Sequence, residues 1–395
     1  MTDVKPEVAT GWRVTTARSV EELEPLAEAW ERLRGHEVVS DREHFLTVLE
    51  LRPEAVRPHV VLLERDGEPV ALAVARIEDV RLPARIGYRT IVAPRLRALT
   101  VVPGGHLGDA SEPVARRLLE ELRSALAAGE ADVLRLRTLE LGTPLHTLAR
   151  TVPPPHLRDQ LGKPSVRWTV AIPDSFEEFL RARSKTMRSN IRYYAKKLET
   201  EYAGRLELRT FHDGTDLETL YRDTAKVAPK TYQHALGASF VDDPLRRALT
   251  ELSVRRGWFR AYLLYLDGEP VAFWYGTAYE GVVHTGFTGY DPAYRDLSIG
   301  TYVLAKLIED ACADPAVTML DHGFGDADYK RRLGDRSFLE EDVLVFAPTF
   351  KGVRTNLTRT AVSGAATLAR RALRDSGAVA RVKRRWRDRL RSTRG

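Results

Sequence analysis

This chain of 395 residues contains a single cysteine and three methionines, and no apolar run long enough to span a bilayer. One cysteine excludes an internal disulfide and any zinc site built on several thiolates. Its position in AKLIEDACAD, on the apolar face of a helical pattern, marks Cys312 as core filling. The opening MTDVKPEVAT lacks an apolar h-region, so no secretory signal is expected and a cytoplasmic location is. The ten histidines include no His-x-x-x-His pair, and no Gly-x-Ser-x-Gly elbow or GxxxxGK[ST] loop occurs, so no metal is expected.

What is present begins with a repeat. DGEPVA occurs at Asp66–Ala71 and again at Asp267–Ala272, each time between alternating apolar runs: HVVLLER and ALAVARIE, then RAYLLYL and FWYGTAY. Asp-Gly between two such runs predicts a two-residue β-hairpin turn in each place. Downstream the element order repeats as well. Helical SEPVARRLLEELRSALAAG precedes the strand ADVLRLRTL, and SIGTYVLAKLIEDACAD precedes AVTMLDHGF. Strand, helix, strand at that length predicts a parallel crossover beside an otherwise antiparallel sheet. The fold class is therefore α/β (α+β), with two similar units, each a mixed, mostly antiparallel sheet flanked by helices.

The stretch 151–164, TVPPPHLRDQLGKP, carries four of the 21 prolines and little apolar pattern, as a linker would. It separates an expected domain 1–155 from another at 165–348. In the second, Asp174 is positioned to cap SFEEFLRAR, and the basic KTMRSNIRYYAKKLETEY, 185–202, continues as helix. Residues 351–395 hold 14 Lys or Arg against Asp375 and Asp388, a charge of +12, so the rest of this +6 chain is acidic. In that tail Val379, Val382, Trp386 and Leu390 share one helical face, a basic amphipathic pattern suited to an anionic inner membrane leaflet; a docking helix or a solvated tail fits the same letters.

Four stretches, SFEEFLRARSKTMRSNIRYYAKKLE, GWFRAYLLYLDGEPVAFWYG, GYDPAYRDLSIGTYVLAKLIEDA and LDHGFGDADYKRRLG, occur in an order that resembles the Gcn5-related N-acetyltransferase (GNAT) fold. The doubling resembles the tandem-GNAT group that includes the Fem aminoacyltransferases and the CelD-like acetyltransferases. The resemblance is detailed over 165–345 and holds in outline over the first half, which reads as a degenerate copy because VVPGGHLGDASEPVARR lacks an arginine at the required distance.

The resemblance implies acetyl-CoA or another acyl-CoA as co-substrate. GNAT enzymes hold the CoA pyrophosphate on an Arg/Gln-x-x-Gly-x-Gly/Ala turn, and Arg295, Ser298, Ile299, Gly300 and Thr301 occupy it here, with Ser298 where glycine is usual. On the residues alone, Ser298 or Thr301 as a plain helix cap is the other reading. Candidate catalytic groups lie where the last two strands of the second half are expected to splay. Asp321 is a base or a turn cap, and burial would make its carboxylate more basic. His284 is a second titratable group. The GNAT thiolate-protonating tyrosine corresponds to Tyr329, or on strict spacing to Lys330, which would instead steady negative charge. Lys230, Tyr232 and Gln233, in the Pro- and Gly-broken AKVAPKTYQHALGASF, are candidate acceptor-binding residues.

The implied function is transfer of an acyl group, most simply acetyl, to an amine or hydroxyl of a saccharide or cell-envelope acceptor in a ternary complex. A Fem-like transfer from charged tRNA is an alternative, the only one that brings in nucleic acid, as is a non-catalytic scaffold that retains the fold. The tail makes residues 351–395 a candidate for peripheral membrane contact.

Overall fold

The computed structural model describes residues 3–6, 11–86, 89–231, 234 and 239–375. The first half contains β1 (Asp3–Pro6), β2 (Trp12–Ala17), α1 (Ala27–Arg32), α2 (Arg42–Leu51), β3 (Ala55–Pro58), β4 (Val60–Arg65) and β5 (Glu68–Arg81). After β6 (Ala84–Ile86) and β7 (Arg89–Val92), a small separate ribbon, follow β8 (Arg95–Gly108), α3 (Glu112–Ala127), β9 (Val133–Glu140) and α4 (Pro144–Thr151).

The second half runs β10 (Ser165–Ala171), α5 (Phe176–Arg181), α6 (Lys185–Glu201), β11 (Leu206–Thr210), α7 (Leu217–Val227), α8 (Pro244–Arg255), β12 (Phe259–Leu266), β13 (Glu269–Tyr279) and β14 (Val282–Tyr290). It closes with α9 (Ile299–Ala313), β15 (Met319–Phe324), α10 (Asp328–Leu333), β16 (Arg336–Phe346) and α11 (Phe350–Asp375).

Both Asp-Gly turns form as expected. Asp66 and Gly67 have φ of 53° and 87°, Asp267 and Gly268 53° and 78°, the double left-handed geometry that twists a hairpin correctly. The duplication extends to a defect. Register slips between Leu63 and Glu64 opposite Val70, and between Leu264 and Tyr265 opposite Val271, so each copy carries the same bulge three residues past its turn glycine. The parallel crossovers form too: β8 pairs parallel with β9 across α3, and β14 with β15 across α9.

Fourteen strands make one continuous sheet, and β16 joins the halves by pairing antiparallel with β9 on one side and β10 on the other. Apolar residues of α3 and α4 cover one face of the first half, and those of α5, α6 and α9 cover the second. Each fully buried Leu or Phe there contributes about 1.5–3 kcal/mol. Val343, Val345 and Ala347, in and just after β16, pack into the first-half core, which binds the last strand to the opposite unit. Cys312 lies in the α9 core as the pattern indicated. The cap of α5 is Ser175, whose side chain accepts from the Glu178 amide; Asp174 stands one residue too early. The basic pattern at 379–391 lies outside the described residues.

Candidate functional site

A cleft of about 280 Å³ opens between the halves. Glu37 and His44 of the first half form one side, α8 of the second half forms another, and the strand residues Arg167, His284 and Asp321 form the floor. The floor is where β14 and β15 part. Their parallel pairing ends at His284 opposite Asp321; beyond it β14 stays with β13 and β15 with β10. A splay of this kind exposes backbone and side chains of both strands to one ligand.

Arg167 organises the floor. Its Nε donates to Asp321 Oδ2 at 2.8 Å, one terminal nitrogen donates to Asp321 and Glu37, and the other to Glu340 Oε2 at 3.3 Å. Burial disfavours its charge, yet three carboxylates outweigh that and raise the guanidinium pKa. Gly323 at φ +68° turns its amide back onto Asp321 Oδ1 at 2.7 Å, a backbone path that a side chain would strain.

These contacts reverse the expectation for Asp321. Burial would raise its pKa, but the hydrogen bonds with His284 and Arg167 prevail and hold the carboxyl well below the usual range. It is a fixed anion, and burial does not make it a base. His284 moves the other way. Burial opposes its charge, but its hydrogen bond to Asp321 and the Glu37 carboxylate outweigh that and raise its pKa. Its Nε2–H donates to the carbonyl of His36 at 2.7 Å, which leaves Nδ1 3.4 Å from Asp321 and 3.9 Å from Glu37. Glu340, buried in β16, is pushed up by burial despite Arg167, with Asp321 and Glu37 adding to the rise.

At the end of β15, Lys330 on α10 is buried and gives its Nζ hydrogens to the carbonyls of Phe324 at 2.8 Å and Gly323 at 3.2 Å. Burial lowers its pKa. Tyr329, 37% exposed, sets its ring edge-on to His322 at 5.6 Å. His322 is buried and pushed down to about 4, first by burial and then by the charge of Lys330.

At the expected phosphate turn, Ser298 takes φ 53° and ψ 35°, the left-handed conformation in which glycine is usual. It sits at the N-cap position of α9, but its side chain makes no capping bond, so capping does not explain the residue. Arg295 is exposed, and Gly300 allows the close approach of Tyr290, which a Cβ would meet at 3.2 Å. Ile299, Gly300 and Thr301 form the first helical turn, the positive end of the α9 dipole. Thr301 N is turned back to the Ser298 carbonyl at 2.9 Å. At the matching turn of the first half, Asp109 accepts from the Ser111 amide and hydroxyl, Glu112 adds a negative charge and Pro113 removes a donor, each of which disfavours an anion there.

Lys230 is half exposed and bonds Asp291 at 2.7 Å. Tyr232 and Gln233 lie outside the described residues. Sequence reasoning missed Arg167, Glu37 and Glu340, and with them His44 and Arg246 of the cleft. The signal available was a lone arginine inside the strand SVRWTVA and adjacent acids inside the apolar strand RSFLEEDVLVF. Among the described residues, Glu37, His284 and Asp321 bring one ligand atom each within 4.8 Å of one another. Arg167 already bonds both carboxylates, so this donor set is matched to a guanidinium and does not suit a resident metal.

Residues 185–331 match the family model described as an acetyltransferase (GNAT) domain. A crystal structure of FemX is 12% identical with a TM-score of 0.53, covering 80% of this chain and 95% of that one. The C-terminal domain of a putative lysylphosphatidylglycerol synthetase from Agrobacterium fabrum is 9% identical with a TM-score of 0.49, covering 85% and 96%. A tandem GNAT protein from the clavulanic acid biosynthesis pathway is 13% identical with a TM-score of 0.47, covering 85% and 99%. No curated protein matches. The match assigns residues 185–331 to a GNAT acetyltransferase domain. The chain as a whole has a fold similar to that of FemX.

Proposed function

We propose that the protein transfers an acyl group, most simply acetyl, from acyl-CoA to an amine or hydroxyl of a saccharide or cell-envelope acceptor held in the inter-half cleft. The observation that carries this is the His284, Asp321 and Arg167 cluster at the splay of β14 and β15, with His284 and Asp321 inside the segment that matches the GNAT model. Residues 295–301 fit the donor pyrophosphate: an exposed arginine, a left-handed Ser298 and the N-terminus of α9.

In the transfer the acceptor nucleophile attacks the thioester carbonyl carbon. A bond to nitrogen or oxygen forms, the C–S bond breaks, and one proton passes from the acceptor to the enzyme while the thiolate collects another. His284 is the group suited to take the acceptor proton, because its Nδ1 faces Asp321 and Glu37, which steady the resulting imidazolium. Lys330 places a buried positive charge beside the splay, where it favours the developing oxyanion or thiolate, and Tyr329 is the alternative proton source. No acyl-enzyme is required: Cys312 is buried in the α9 core with its thiol pushed up to about 11 by burial.

The test is release of free thiol from acetyl-CoA in the presence of candidate acceptors. His284→Gln is expected to slow it about 10²–10⁴-fold. A variant as fast as the wild type would remove His284 from the reaction. One observation favours charged tRNA as donor: α6 exposes Tyr193 and Lys196, with Lys197 beside them. Saturable binding of charged tRNA without any binding of acetyl-CoA would establish that reading instead. We also assign peripheral membrane contact to residues 351–395, where α11 exposes Leu357 beside Lys351 and Arg354, next to the exposed Phe350 at its start. No described helix is long and apolar enough to cross a membrane.

A further inference from the structure

The cleft is electrically lopsided. At the floor, Glu37, Asp321 and Glu340 surround the single guanidinium of Arg167, so carboxylates outnumber fixed cations. On the α8 side the imbalance is opposite. The Arg246 guanidinium lies over the Phe287 ring at 4.2 Å, and among the described residues it makes neither a hydrogen bond nor an ion pair. Asp243, the nearest acid in its sequence, spends a carboxylate oxygen on the Arg246 amide as the cap of α8. The two buried arginines among the described residues are paired, Arg76 with Glu78 and Arg183 with Asp335, whereas the half-buried Arg246 faces the cleft without a counter-charge.

Two further polar atoms of the cleft are buried without partners: His44 Nδ1 and Thr285 Oγ1. His44 also reports the local field. Its pKa is pushed down to about 4, first by burial and then by the charges of Arg76, Arg246 and Arg52. It is therefore neutral and able to exchange a hydrogen bond with a ligand.

Resting on the acyl-transfer reading above, we propose that the acceptor is an amine that also carries an oxyanion, a carboxylate or a phosphate. Arg246 holds the oxyanion, and the amine lies at the Glu37–Asp321 end beside His284. Arginine presents a planar fork that matches either oxyanion in two-point fashion. The acidic floor attracts the acceptor as an ammonium. His284 removes a proton, nitrogen attacks the thioester carbon, and the products are an amide and the CoA thiol, with no change of oxidation state. The polarity selects nitrogen over oxygen as nucleophile and excludes neutral sugars as complete acceptors.

The test titrates the full chain calorimetrically with 4-aminobutyrate, 2-aminoethyl phosphate and, as uncharged-tail partners, butylamine and ethanolamine. At least tenfold tighter binding of one or both zwitterions is expected, and which one binds tells carboxylate from phosphate. Arg246→Gln is expected to abolish that preference, and Arg246→Lys to retain part of it, which guards against misfolding as the cause. Zwitterions that bind no tighter than the simple amines, or a preference untouched in Arg246→Gln, overturn the proposal. Acetyl-CoA titrated into the same proteins separates the two readings. Its binding is expected to be unchanged in Arg246→Gln, and its absence in a wild type that still selects zwitterions would fault only the donor reading.

Discussion

Replacing Arg167 with Gln tests the electrostatic design of the floor. The side chain is 13% exposed and bonds Asp321, Glu37 and Glu340, of which Asp321 and Glu340 are almost fully buried. Gln keeps most of the volume and removes the charge. Breaking a buried ion pair from one side costs about 3–5 kcal/mol, since the remaining charges stay desolvated. The loss should depend on pH. In the wild type, Asp321 has a folded pKa below its unfolded one and so stabilises the fold at pH values above the unfolded value. In Arg167→Gln the three carboxylates repel one another with only His284 to offset them, their folded pKa values rise, and the folded state gains a proton on acidification. The deficit relative to wild type should therefore be largest near about pH 8 and shrink by about 1–3 kcal/mol toward about pH 5. Urea unfolding across that range measures it. A deficit below about 1 kcal/mol at every pH would refute the view that Arg167 neutralises this cluster.

Three other outcomes follow from substitutions elsewhere. Ser298→Gly relieves a left-handed serine that makes no capping bond, so it should stabilise the protein by roughly 1 kcal/mol in thermal unfolding without weakening acetyl-CoA binding; destabilisation would show that the hydroxyl has a structural role. For His284, whose folded pKa is raised, the stability difference between wild type and His284→Gln should be full below about pH 6.5 and fade as pH rises through the folded value. A difference that grows with pH would reverse that assignment. Changing Phe350 and Leu357 to Ser should weaken sedimentation with anionic vesicles several-fold while leaving neutral vesicles unaffected, and equal binding by variant and wild type would count against contact through α11.

Much of the fold was legible because its signals are local. Asp-Gly specifies its own turn, and the length between VVPGGHLG and ADVLRLRTL dictates a helical crossover, so both hairpins and both parallel pairs could be read directly. The joining of the halves was not. β16 reads as one more apolar strand, and nothing in its letters says that its neighbours are β9 and β10, since strand pairing depends on distant chain segments. The floor shows the same limit. His284 and Asp321 stand near recognisable strand ends, but Glu37, Arg167 and Glu340 come from three separate regions and meet only in the folded chain. Without Arg167 in view, burial of Asp321 suggested basicity; with it, the sign reverses. Arg246 was hidden for a different reason, because an arginine in PLRRALTELSVR looks like any solvated helix charge until its missing partner is seen.

The most direct test is calorimetric titration of the full chain with acetyl-CoA, repeated on Arg295→Ala. The account predicts one site per chain, because Asp109, Glu112 and Pro113 disfavour an anion at the first-half turn, and an affinity that falls at least tenfold in the variant. No binding by a correctly folded wild type, or binding that ignores Arg295, would contradict the assignment of the donor to residues 295–301.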